Sequence, residues 1–233
     1  MFFLLGMQLL TAAQKITNRG TEFWAGFGHH LQMEVRAWFP SDSIKLVFDF
    51  SAEQAAHVVV TIEGTGYKEE YDVPANSVIT SKRMPLGPDR EPGAIYDPKL
   101  YTRSSSWPGG TNSEGIFKNK GIRIVSDVPI VVYERMYFAY SSSAAMLLPV
   151  DSWGYHYQCL SSSQSWVAGE GGVAGAFSYF FVIANQNDTR IRINPSVPSR
   201  SGLPANVPFD ITLQKGEIYQ FLAGESGNKT MHD

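Results

Sequence analysis

The chain is poor in the residues that announce a covalent scaffold or a reactive centre. Its 233 residues include one cysteine, Cys159, so no internal disulfide can form and folding must rest on packing. Among Tyr155, Tyr157 and Leu160, that thiol reads as a small buried apolar group. Positive charge is also scarce: 19 Lys and Arg against 22 Asp and Glu give a formal net charge of -3 and a pI near 6.0. With no basic run interleaved with aromatics, the chain has no general pull toward a phosphate backbone, and nucleic acid is excluded as a partner. Beyond the first residues no apolar run approaches the roughly 20 residues that a membrane helix needs. Helical periodicity is missing as well. No His-Glu-x-x-His, paired Cys-x-x-Cys, Asp-rich calcium loop or Gly-x-Ser-x-Gly elbow occurs, and the glycines at 169–172 lack the lysine and helix of a phosphate loop. Neither a cofactor nor a metal site is called for.

What the chain does contain suits a large β domain. Hydrophobic residues make up 43% and aromatics 13%, against 18% charged. Strand-like runs recur at 21–26, 44–50, 57–62, 67–73, 121–125, 130–139, 144–148, 155–160, 178–184, 190–194, 209–213 and 218–222. Short strands separated by Gly, Pro, Asn and Asp, without crossover helices, predict an all-β fold, an antiparallel β-sandwich. Arg190-Ile191-Arg192-Ile193 alternates, so its strand should keep one wet face. In NKGIRIVSDVPIVVYERMYF (119–138), Ser126 to Pro129 reads as the turn of a central hairpin whose core includes Ile122, Ile124, Ile130 and Val132.

Two stretches interrupt this grammar: the Pro, Gly and Ser-rich insertion around 85–118, and 161–176. Connections of such length are often functional, and both are expected at the surface. A weak repeat is visible. HVVVTIEG (57–64) followed by YDVPANSVI (71–79) parallels TRIRINPS (189–196) followed by FDITLQKGEIY (209–219), with Asp72 matching Asp210. It divides the chain into a first β unit, 14–160, carrying the 85–118 insertion, and a second, 161–233, expected to be truncated at its C-terminal end. The opening MFFLLGMQLLTAA (1–13) reads as a secretory signal peptide, too short to span a bilayer.

TNRGTEFWAGFGHH (17–30), NKGIRIVSDVPIVVYERMYF, MLLPVDSWGYHY (146–157), FVIANQNDTRIRINPS and ITLQKGEIYQFL, taken in order, resemble the IgGFc-binding protein N-terminal domain family as it occurs in bacterial secreted proteins. The resemblance implies a non-enzymatic extracellular β domain, secreted or at the cell surface, often at the start of a larger multidomain chain of the Bacteroidetes type. It carries no catalytic or ligand residue set and does not imply Fc binding.

Chemistry is thin on the page. His29 and His30 are adjacent, so in a strand they face opposite sides and cannot share a metal. Ser-rich tracts at 104–106, 141–143 and 161–163 read as turns. Glu69 with Glu70, or Asp127 with Glu134, could act as paired glycosidase carboxylates, although solvated charges are the simpler reading. Tyr96, Tyr101, Trp107 and Trp166 fall inside the two insertions, where aromatics can stack on sugars or anchor a partner; these are the expected ligand-binding residues, for an extracellular protein or glycan. A secreted adhesion or binding module is the leading expectation. A carbohydrate-active enzyme or carbohydrate-binding module and a structural spacer of a larger surface protein are the alternatives.

Overall fold

The computed structural model describes residues 17–29, 45–84, 114–138, 141–161 and 177–226. Every strand pair among them is antiparallel. The strands are β1 (Gly20–Ala25), β2 (Lys45–Ala52), β3 (Ala56–Ile62), β4 (Tyr67–Val73), β5 (Ser77–Thr80), β6 (Gly115–Phe117), β7 (Ile122–Phe138), β8 (Ser141–Met146), β9 (Phe177–Ile183), β10 (Thr189–Ile193), β11 (Phe209–Leu213) and β12 (Ile218–Ser226). One short 3-10 turn, Val150–Ser152, interrupts them.

The predicted hairpin at 119–138 does not form; β7 is a single strand of 17 residues. Gly20 pairs with Ile130 and Glu22 with Val125, so a two-residue step in β1 faces a five-residue step in β7. Ser126 to Pro129 is therefore a bulge, which bends a strand without reversing it. Pro129 sits there because a bulge tolerates a residue that cannot donate to the ladder. The Asp127 carboxylate accepts the His57 N–H at 2.8 Å. Before the bulge β7 lies between β1 and β3, and after it between β2 and β8. The predicted core positions hold: Ile122, Ile124, Ile130 and Val132 are buried with Phe23, Phe48 and Phe50 in the first hydrophobic core.

Strands β9 to β12 build a second core. β9 pairs with β12 and β10 with β11, and Phe180, Val182, Tyr219 and Phe221 meet Ile193, Phe209 and Leu213 between the two layers. Phe180 stacks on Phe221 at 5.2 Å. The opposite face of the β9–β12 layer is covered too, because the chain after β1 runs against it. A Cβ on Gly26 would stand 2.5 Å from Ile218, and the His29 N–H donates to Gln220 Oε1 at 2.7 Å. Cover on both faces is what the largely apolar run FSYFFVI requires.

The weak repeat has a structural counterpart. The path β2-β3-β4-β5 pairs β2 with β5 and β3 with β4; the path β9-β10-β11-β12 pairs β9 with β12 and β10 with β11. Each path tightens at the same place, Asn76 N–H donating to the Glu53 carbonyl in the first and Gly216 N–H to the Ala184 carbonyl in the second. Asn76 and Gly216 both have positive φ, 54° and 78°, the region that Asn and Gly tolerate best. Asp72 faces His57 and Asp210 faces Arg192, so each matched aspartate opposes a basic residue. β6, from within the insertion assigned to the first unit, pairs with β12.

Three further expectations are corrected. Tyr155 to Leu160 forms no strand and makes an exposed segment with Tyr155 98% accessible, so Cys159 is exposed rather than buried. Ser141 to Ser143 begins β8 instead of forming a turn, because the far half of β7 offers it a ladder. β5 and β6 were not among the expected runs, being short and poor in alternation. The expected wet face of β10 is present: Arg190 and Arg192 are exposed and Ile193 is buried.

His57 gives the first testable expectation. Its Nδ1 lies 2.9 Å from Asp72 Oδ1 and its Nε2 3.8 Å from Glu70 Oε2, and the Asp72 hydrogen bond raises the imidazole above its ordinary value. A group with a raised folded pKa stabilises fully below its unfolded value and loses that contribution as pH rises through the folded one. An NMR titration should show the His57 midpoint fall in Asp72→Asn; an unchanged midpoint would show that the pair is not formed in solution.

Candidate functional site

The β7 strand carries one residue that breaks its own pattern. Ile130, Val132, Glu134 and Met136 share a face, and along that face Glu134 puts a carboxyl where the alternation calls for an apolar side chain. Its cross-strand neighbours are Phe48 on β2 and Ala145 on β8. Among the described residues it makes no hydrogen bond and no ion pair. Burial pushes its pKa up to about 7.

Glu134 opens into a cavity of about 330 Å³ at the junction of the two cores. The walls come from three directions. Gly26, Phe27 and Gly28 follow β1; Met136 and Ser143 to Ala145 come from β7 and β8; Tyr179 and Phe181 come from the face of β9 turned away from the second core. Two glycines make the junction fit: a Cβ on Gly28 would stand 2.6 Å from the Tyr179 ring and 2.8 Å from the Phe181 ring, inside contact distance. Tyr179 is the other titratable group among the described lining residues. Its burial, and then the nearby Glu134, push its phenol up to about 12. Both groups are thus neutral in mildly acidic solution, and only Glu134 gains a charge near neutrality.

The carboxylates that could be imagined as pairs do not converge on one site. Glu134 lines the cavity, whereas Asp127 is exposed at the bulge and holds His57. Glu69 pairs with Lys82 at 2.7 Å and Glu70 pairs with Lys68, both at the surface. Glu134 itself is half-buried among apolar groups, because its register on β7 turns it inward. The sequence held this signal, a Glu in phase with Ile130, Val132 and Met136, but not the partners that turn that face inward. His29 is buried with its ring 5.9 Å from Phe177 and 5.8 Å from Tyr179. His30, the glycines at 169–172, the signal segment 1–13, and the ligand-binding residues expected from the sequence, Tyr96, Tyr101, Trp107 and Trp166, lie outside the described residues.

Comparison with known proteins adds one match. Residues 143–230 match the family model described as IgGFc binding protein. This part of the chain is similar to the IgGFc binding protein family. The resemblance read from the sequence extended over nearly the whole chain, and the IgGFc-binding match places it on the C-terminal part. It starts at Ser143 in β8 and takes in all of β9 to β12, so the matched segment supplies Ser143 to Ala145, Tyr179 and Phe181 to the cavity. Glu134, Met136 and Gly26 to Gly28 come from the chain that precedes it. The family is not an enzyme family. No curated protein and no solved structure gave a significant match, and no described helix is long and apolar enough to cross a membrane.

Proposed function

We propose that the chain is a non-enzymatic binding module of a secreted or cell-surface protein, composed of a signal peptide (1–13), a first β unit (14–160) and a second (161–233), and that it takes its ligand at the cavity between the two cores. The observation that carries this reading is the cavity itself: a concave, largely apolar space with one convergent charged group, held on strands rather than on loops. The IgGFc-binding match supports a binding role, and the partner is proposed to be an extracellular protein or glycan. The exposed Tyr155 and Tyr157 and the loop aromatics Tyr96, Tyr101, Trp107 and Trp166 would add contacts around it.

A second reading has a specific observation behind it. A carboxyl with a pKa of about 7 is suited to donate a proton near neutrality, as a glycosidase acid does. Such an enzyme also needs a second carboxyl about 5 to 10 Å away, and none lines the cavity among the described residues. Glycan and protein arrays probed with the purified chain, run beside a screen of chromogenic glycosides, separate the two readings. Retained ligand without turnover is expected; turnover abolished by Glu134→Gln would overturn the binding-module reading.

The loop aromatics can be tested in the same preparation. Trp107→Ala and Trp166→Ala should weaken array binding while lowering stability by less than the roughly 3 to 5 kcal/mol that follows truncation of a core aromatic. A loss of that size in thermal unfolding would make them core residues and remove them from the ligand surface.

A further inference from the structure

Resting on the reading of the cavity as a ligand site, we infer that its ligand class is an organic cation of the quaternary-ammonium type, with its charge beside Glu134 and its methyl groups against Phe27, Met136, Tyr179 and Phe181. The inference starts from what the cavity offers. It holds one acidic side chain with no hydrogen-bond or ion-pair partner among the described residues, and no described lining residue is basic. An anion or a second carboxyl would find only repulsion there. A sugar or peptide group would need several converging donors and acceptors, whereas the Glu134 carboxyl, the Ser143 hydroxyl and the Tyr179 phenol are the described side-chain polar groups. A quaternary ammonium needs none, since its charge is spread over methyl groups that are content against rings and a thioether. Taking up such a cation also relieves the carboxylate of being charged in an apolar surrounding without a partner.

The site should therefore respond to pH. Tyr179 stays neutral across the neutral range, and the other described lining residues do not titrate, so Glu134 sets the response. With its midpoint near 7, Glu134 is mostly ionised at pH 8 and mostly protonated at pH 6. Affinity for the cation should fall about tenfold between those two values.

The probes are choline and its uncharged carbon isostere 3,3-dimethyl-1-butanol, titrated into the full 233-residue chain. The readout is the NMR signal of the Met136 methyl group together with those of Ala144 and Ala145. At pH 8 choline should bind at least tenfold more tightly than the isostere, and the preference should shrink at pH 6. Glu134→Gln should abolish both the preference and the pH dependence while leaving isostere binding intact, and its unfolding transition shows whether it is folded. Phosphocholine and a trimethyllysine peptide as further probes distinguish a lipid-type headgroup from a modified protein side chain as the source. If choline and the isostere bind equally, the cation inference falls and the cavity stands as a site for apolar ligands. If neither moves the Met136 signal, the cavity is not a ligand site and the reading beneath the inference falls with it.

Discussion

Val132→Asp is expected to abolish folding of the first core. Val132 is fully buried on β7, pairs across the ladder with Phe50, and lies on the same face as Ile130. Among the described residues no cation is positioned to meet a carboxylate there: Arg135, three residues along the strand and so on the other face, is held by Asp49 at 2.9 Å. A buried charge left without a partner costs about 3 to 5 kcal/mol, set against a total stability of about 5 to 15. Because β7 serves β1, β2, β3 and β8 at once, the loss cannot stay local. Circular dichroism and thermal unfolding of the variant should show no cooperative transition; a variant that still melts cooperatively near the wild-type temperature would show that the interior of β7 has been misplaced.

Phe221→Ala is the corresponding experiment on the second core. Phe221 is fully buried, stacks on Phe180, and shares its cluster with Leu213 and Ile193. Truncating a core phenylalanine removes about 3 to 5 kcal/mol, since the transfer energy of the ring is lost and the space is not refilled. The two cores are joined where Gly121 N–H donates to the Gly216 carbonyl at 3.1 Å and where β6 pairs with β12. If that junction makes them one cooperative body, Phe221→Ala lowers a single transition. Two separated transitions, only the lower of them shifted, would show that the cores unfold independently. A change under about 1 kcal/mol would contradict the packing described for β9 to β12.

Much of the fold was legible because alternation and turn residues are local signals. The limits of β4 and β11 follow directly from YKEEYDV and FDITL bounded by turns, and the inward residues of β7 from their spacing. Three features were not legible, each for a physical reason. Ser126-Asp127-Val128-Pro129 has the composition of a turn, and composition cannot tell a bulge from a reversal; only the partners of β7 do that. GYHYQCL has the side chains of a strand but no ladder to join, and a strand propensity without neighbours is not a strand. The cavity is assembled from four distant stretches, so no window of sequence contains it. Glu134 was visible as a carboxylate and was taken for a solvated one, because its partial burial depends on Phe48 and Phe181, which are remote in the chain.

The length of β7 also matters for how the molecule would bear a load. At about 3.3 Å per residue, its 17 residues extend for roughly 55 Å, less what the bulge takes up. Antiparallel ladder bonds lie perpendicular to the strands. A pull directed along β7 must therefore shear the ladders to β1, β2, β3 and β8 together, whereas a pull across it peels them one bond at a time. The same set of hydrogen bonds is mechanically stiff in one direction and weak in the other. Under tension, the angle at which force enters the strand would then decide how long the fold holds.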